Sequence, residues 1–370
     1  MKYDARNGYM LRGSLGKKGY DWWWHSFVAK NNTTGELEPF FIEYFIINPE
    51  AGGEQNPVLG QKAENRENGI KPSYAMIKAG KWGNKKSQIH NFYPLKSVTA
   101  DRVKMDIKIG DNSANDMLIK GMVQMREDDA KSHPEYMSDA GTMSWDLKVL
   151  SKTPYSVGYG TSWLFRKLNL FEMYWHIHGM KTVLSGKVIY NGTEYTVVPE
   201  TSFGYQDKNW GSDYTNPWIW LNCNNFKSSK DNQLQDTSLD IGGGNPKVLG
   251  AGLGRKILVA FRNEGKLYEF NFTKFLFQKQ QWKCHSDQSY VYWDVEVENR
   301  KNVLEVHFKC PLSTMILVNY ENPQGEKLHN KLFNGGYASG EVLLYEKRNG
   351  EKQHRETFTG ELGGCEFGEY

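Results

Sequence analysis

The densest set of chemically able side chains in this 370-residue sequence is Phe203-Gly204-Tyr205-Gln206-Asp207-Lys208-Asn209-Trp210-Gly211, followed after a short gap by Pro217-Trp218-Ile219-Trp220-Leu221-Asn222-Cys223-Asn224. An acid, an ammonium, an amide and an indole within one short run are unusual for a plain loop, because Asp207 and Lys208 must each be solvated or paired. Against an aromatic, poorly hydrated wall the carboxyl of Asp207 would stay protonated, each pKa unit being worth about 1.4 kcal/mol. A protonated carboxyl is a general acid. Side chains two apart share one face of a strand, so Trp218, Trp220, Asn222 and Asn224 would line one face with indoles and amides. The same residues allow a second reading, a hydrogen-bonded corner between two strands in which Asp207 caps backbone N–H groups.

Other constellations carry less. His176-Ile177-His178 has the i, i+2 spacing that lets two imidazoles share a metal from one face of a strand, but no acid follows in Gly179 to Val183. Two hydrogen-bonding histidines on a half-buried strand are the expectation there, and no metal site is assigned. The glycines at 250, 252 and 254 precede Arg255 and a β pattern where a dinucleotide fingerprint needs a further glycine and a helix, so they read as a flexible turn. Cys223, Cys284, Cys310 and Cys365 are widely spaced, without a C-x-x-C pair, and read as reduced structural thiols.

The elements that must position these residues are strands. Residues 181–190 and 193–198 flank Asn191-Gly192, whose types suit the two positive-φ positions of a type I′ hairpin turn. Further hairpins are expected for 256–261 with 266–272 through Asn263-Glu264-Gly265, for 315–320 turning near 323–325, and for 341–345 turning at Asn349-Gly350. Residues 290–297 and 303–308 alternate in the same manner, and the best helical pattern is short, around 162–170. Residues 50–71 read as a long loop and 227–246, ending in three glycines, as a polar break. The expected fold class is therefore all-β, with one domain over 1–211 and a second over 212–370; a boundary at Gly244 is nearly as good.

Composition agrees with sheets: 14% of residues are aromatic and 37 are glycine. The net charge is only +3 and both signs are interspersed, so no basic stripe exists to meet a nucleic acid. No apolar run approaches the ~20 residues of a spanning helix, and the first fifteen residues lack a signal-type apolar core. A cytoplasmic chain with at most transient membrane contact is the expectation.

The stretch Phe171-Glu172-Met173-Tyr174-Trp175-His176, the Asn191-Gly192 hairpin, Lys208-Asn209-Trp210-Gly211 after an acid, and Trp218-Ile219-Trp220-Leu221-Asn222-Cys223-Asn224 come in an order that resembles the tocopherol cyclase family. Asp21-Trp22-Trp23-Trp24-His25 resembles that family's opening E-G-W-Y strand, with His25 a departure, and Gly364-Cys365-Glu366-Phe367-Gly368 its closing V-E-V-G-G. The resemblance implies two lipocalin-like β-barrels, related to the hydroxyneurosporene synthase (carotenoid hydratase) family and to fungal Diels-Alderases. It further implies cofactor-free chemistry on a hydrophobic prenylated or polyene substrate. An acid protonates a trisubstituted alkene, and a phenol oxygen or water captures the cation.

Carried over, Asp207 takes the acidic position, one methylene shorter than in an E-K-N-W-G pattern, with Lys208 and Asn209 orienting it or the substrate oxygen. Trp24, His25, Trp175, Tyr205, Trp210, Trp218 and Trp220 are expected to line the substrate cavity. Glu366 is a second candidate acid, the alternative being a surface carboxylate near the C-terminus. The rival function is a non-catalytic carrier of hydrophobic ligands on the same scaffold.

Overall fold

In the computed structural model, residues 4–158, 164, 167–168, 170–229, 232–248, 250–274, 278–318, 320–326 and 332–368 are described. Alternation of apolar and polar residues, broken by tight turns, builds two large antiparallel sheets. The first runs from Ser87–Tyr93 through Tyr74–Lys81, Leu37–Ile47 and Tyr20–Asn31 to Met173–Tyr190, Gly141–Tyr155 and Leu118–Met125. Two strands, Thr193–Val197 and Gly204–Gly211, lie one after the other between Tyr20–Asn31 and Met173–Tyr190. The sheet curls until Ser87–Tyr93 meets Leu118–Met125, where the Asn91 amide spans the join. Its Nδ2 donates to the Gln124 carbonyl at 2.8 Å and its Oδ1 accepts from the Gln124 N–H at 2.9 Å.

The second sheet runs from Lys266–Asn271 through Lys256–Asn263, Ser238–Gly244, Trp218–Cys223, Glu351–Gly368, Leu332–Arg348, Asn302–Pro311 and Tyr290–Glu298 to Lys279–Ser286. It curls around a core of its own, with Ile219, Leu221, Leu239, Ile241, Phe308 and Phe358 inside. The architecture is all-β, as the sequence predicts. Among the described residues no helix is long and apolar enough to cross a membrane.

Turn chemistry sets the hairpins. Asn191 and Gly192 both take positive φ (47° and 79°), so Tyr190 pairs directly with Thr193. Glu264-Gly265 and Asn349-Gly350 do the same between Asn263 and Lys266 and between Arg348 and Glu351. The helical pattern around 162–170 falls largely outside the described residues. One expectation is corrected: the polar break over 227–246 contains strand Ser238–Gly244, paired on both sides, and its three glycines are part of a sheet.

Three apolar clusters fill the molecule. One lies inside each curled sheet, and the third lies between them, built from Tyr20, Trp22, Trp24, Phe41, Phe45 and Trp82 of the first and Trp218, Trp220, Leu258 and Tyr320 of the second. The two barrels meet face to face over aromatic rings.

Candidate functional site

Strand periodicity decides what reaches that seam. Register pairs Trp24 with Asp207, Trp23 with Lys208 and Trp22 with Asn209. Odd-numbered Tyr205, Asp207 and Asn209 therefore point outward with Trp22, Trp24 and Trp175, whereas Gln206, Lys208 and Trp210 point into the first barrel with Asp21, Trp23 and His25. In the second sheet Trp220 stands beside Glu366, which stands beside Asn334, all on the seam side. A small, tightly lined pocket forms where the two faces meet. Trp22, Trp24, Asp207 and Asn209 line it from one barrel, and Trp218, Trp220, Tyr320 and Glu366 from the other.

Asp207 is buried, and its two oxygens differ. Oδ2 accepts from Trp175 Nε1 at 2.6 Å and from the Tyr205 hydroxyl at 3.0 Å, while Oδ1 has no partner among the described residues. Loss of water pushes its pKa up to about 8, and the nearby carboxyls of Glu366 and Glu43 push the same way against those two hydrogen bonds. Asp207 is thus a neutral acid near pH 7. Asn209 sits beside it: its amide donates to the Tyr174 carbonyl at 2.9 Å and accepts from Trp22 Nε1 at 3.2 Å, which fixes the Trp22 ring.

Glu366 is tied at both oxygens, by Trp218 Nε1 at 2.7 Å and Asn334 Nδ2 at 2.6 Å, and Trp82 Nε1 holds Asn334 in turn at 2.7 Å. Burial raises its pKa, opposed by those donors and by Lys78. Lys78 is itself fully buried in an ion pair with Glu43 at 2.6 Å, and the Tyr320 hydroxyl donates to Glu43 at 2.8 Å. Asp207, Glu366, Glu43 and Lys78 thus lie in the seam, each with polar partners, around an aromatic pocket.

Next to this polar pocket is a larger apolar one, bounded by Val157, Phe171, Met173, Pro246, Leu258 and Phe272. Trp175 and Trp218 border it, set edge to face with ring centres 6.0 Å apart. Trp218 lines both pockets, so an elongated apolar ligand in the larger one would end beside the carboxyls. The strand glycines serve this wall. A Cβ on Gly242 would come within 2.3 Å of the Trp175 ring, and one on Gly364 within 2.6 Å of Trp220. Gly242→Ala should therefore displace the indole that holds Asp207. We expect a loss of about 1 to 3 kcal/mol in urea denaturation and quenched or shifted tryptophan emission; an unchanged midpoint and spectrum would show that the ring yields freely.

Of the residues expected from sequence, Asp207, Asn209, Glu366, Trp24, Trp175, Tyr205, Trp218 and Trp220 come together at the seam. Lys208, His25 and Trp210 do not. Lys208 is enclosed in the first barrel, ion-paired with Asp21 and seated 3.6 Å from the Trp23 ring centre, and Trp210 stacks on Tyr174 at 5.2 Å. His25 faces His178 across 6.2 Å, with its Nδ1 against Gln206 at 3.1 Å. Among the described residues His178 has no hydrogen-bond partner at either nitrogen, unlike the expected bonded pair, and no cluster of three metal-ligating side chains occurs. Sequence reasoning missed Glu43, Lys78, Tyr320 and Asp240. Glu43 and Lys78 each interrupt an apolar run, between Ile42 and Tyr44 and between Ile77 and Ala79, a signal that was legible; Asp240 was hidden in the supposed break.

The family described as "Tocopherol cyclase-like" matches residues 51–368. The rice protein "Probable tocopherol cyclase, chloroplastic" (Oryza sativa subsp. japonica) is 27% identical over 153 residues, and maize "Tocopherol cyclase, chloroplastic" (Zea mays) 26% over the same length. Each alignment spans 39% of this chain and 30% of the relative's length. The crystal structure of kievitone hydratase from Nectria haematococca aligns over 100% of this chain and 99% of its own, at 10% identity and a TM-score of 0.44. With its family match running across most of both sheets, the chain belongs to the tocopherol cyclase-like family.

Proposed function

We propose that the chain is an enzyme that protonates an alkene of a hydrophobic prenylated or polyene substrate, the resulting cation being captured by an internal phenol oxygen, in cyclisation, or by water, in hydration. The observation that carries this reading is Asp207: a buried, neutral carboxyl with one oxygen without a partner among the described residues, in a pocket walled by Trp22, Trp24, Trp218 and Trp220. Its proton is available at neutral pH because ionisation in the seam is costly. Each indole facing the cation contributes about 0.5 to 2 kcal/mol through its ring quadrupole. The adjoining apolar pocket suits an isoprenoid tail, and family membership points to the same chemistry.

The test is incubation of the full chain with phytyl- and geranylgeranyl-substituted methylhydroquinones and with linear polyenes, products being followed by mass. A product isomeric with the substrate supports cyclisation, and one heavier by a water supports hydration. No product from any of them rejects the reading. The pH dependence follows from the acid's protonation state. Because the active form carries the proton and the pKa is raised to about 8, kcat should be level below about pH 7 and fall tenfold per unit above the midpoint. A rate that rises with pH across that range would make Asp207 a base.

The apolar pocket alone also suits a carrier. A carrier binds ligand equally well after Asp207→Asn and loses it after Trp218→Ala. An enzyme loses turnover after the first change.

A further inference from the structure

A second buried carboxyl faces Asp207 across the seam. Asp240 lies in strand Ser238–Gly244, between Asn222 and Ala260 in register, and points to the same side as Gly242, which touches Trp175. It is 2% exposed, and neither of its oxygens has a hydrogen-bond partner among the described residues. Its near neighbours are the Tyr205 hydroxyl and the Trp220 indole N–H, and the carboxylate of Asp207 disfavours its ionisation. Trp220 Nε1 is likewise without a close partner, and the Tyr205 ring lies 5.0 Å from the Trp220 ring. Tyr205, which donates to Asp207 Oδ2 at 3.0 Å, thus stands between two acids.

The other groups around Asp240 do not neutralise it. Asn222 spends its Nδ2 on the Met180 and Leu239 carbonyls. Farther out, Tyr155 is engaged with Glu269 at 2.6 Å, and Glu269 with Lys274 at 2.5 Å. Among the described residues, the charged groups around it are acidic or already paired. Two carboxyls in one poorly solvated space cannot both ionise at neutral pH, so the pair retains at least one proton.

We propose that Asp240 and Asp207 form one proton-holding pair bridged by the Tyr205 hydroxyl, which restores the acid within the seam after it has been spent on the substrate. The inference rests on the reading of Asp207 as that acid. In the first step the Asp207 O–H bond breaks as a C–H bond forms on the alkene, and its electron pair stays on the carboxylate. Tyr205 then passes its proton to Asp207 while taking one from Asp240. The phenol or water that bonds to the cation releases a proton, and the Asp240 carboxylate accepts it. No net proton is consumed and no oxidant is needed.

Two measurements on the full-length chain decide it. The first needs no substrate: infrared titration of the protonated-carboxyl band in ¹³C-aspartate-labelled protein between about pH 5 and about pH 10, for the wild type, Asp207→Asn, Asp240→Asn and Tyr205→Phe. Removing the Asp207 charge should lower the Asp240 midpoint by at least about one unit, a tenfold change in proton affinity. A midpoint that stays put overturns the pair. The second uses a phytyl-substituted methylhydroquinone. Asp240→Asn and Tyr205→Phe should each lower kcat about 10- to 100-fold at unchanged KM, Asp240→Glu should recover part of it, and adding Asp240→Asn to Asp207→Asn should cost little more. Full kcat in Asp240→Asn overturns the relay. If the hydroquinone and every other probe go unconverted, the reaction class falls while the titration still decides the pair, and if Asp240→Asn fails to fold, the Asp207→Asn titration decides it.

Discussion

Replacing Asp207 by Asn should lower kcat by about 10²- to 10⁴-fold, the range that a positioned general acid supplies, while KM changes little. The amide is nearly isosteric. It keeps an oxygen that can accept from Trp175 Nε1 and Tyr205, so the pocket keeps its shape and the tail its site; what is lost is the proton. The pH profile provides an internal check, because the limb that falls through about pH 8 should vanish with the acid that causes it. Steady-state kinetics with a turned-over prenylated hydroquinone, beside equilibrium binding of the same compound, make the comparison. Unchanged kcat would transfer the acid's role to Glu366, the other carboxyl of the pocket, and Glu366→Gln would then carry the loss.

The second large effect is on stability and lies on the opposite face of the same strand. Lys208→Met should destabilise the protein by about 3 to 5 kcal/mol, because it leaves the buried Asp21 carboxyl without its ionic partner. Lys208 and Asp21 are both fully enclosed, and burial works against both charges, lowering the lysine's pKa and raising the aspartate's while their attraction opposes it. Asp21 also accepts from the Met10 N–H at 2.8 Å, so the loss should loosen the segment before the first strand. The urea midpoint should fall at unchanged slope, and Asp21→Asn combined with Lys208→Met should recover part of the loss, since two neutral groups leave no orphaned charge. The folded fraction of Lys208→Met should keep the wild-type pH profile. A shifted acid limb would mean that the ammonium acts on Asp207 after all.

That contrast shows what could be read from the chain and what could not. Residues adjacent in sequence suggested an Asp207-Lys208 couple, yet in a strand neighbours point to opposite sides, and the chemistry of 203–211 divides into a seam face and a barrel face. The same period placed Trp218 and Trp220 together correctly, because they are two apart. Hairpin turns were legible because Asn-Gly pairs carry their own backbone preference. Asp240 was not, since Gly242-Gly243-Gly244 looks like a linker until an indole is seen lying against it; glycine reports close approach as readily as flexibility, and sequence alone does not separate the two. Nor could periodicity say that the pocket lies between the barrels and not inside one. That depends on which faces dock, and both faces of Gly204–Gly211 are buried.

The seam has one more consequence, for a chain caught before its halves have met. Asp207 owes its reluctance to ionise to walls supplied by the other half, Trp218 and Trp220 and the carboxyl of Glu366 among them. An undocked first half would leave that side chain in water, an ordinary carboxylate with no proton to give at neutral pH. On the proposed reading, the proton donor therefore comes into being only when the two sheets dock.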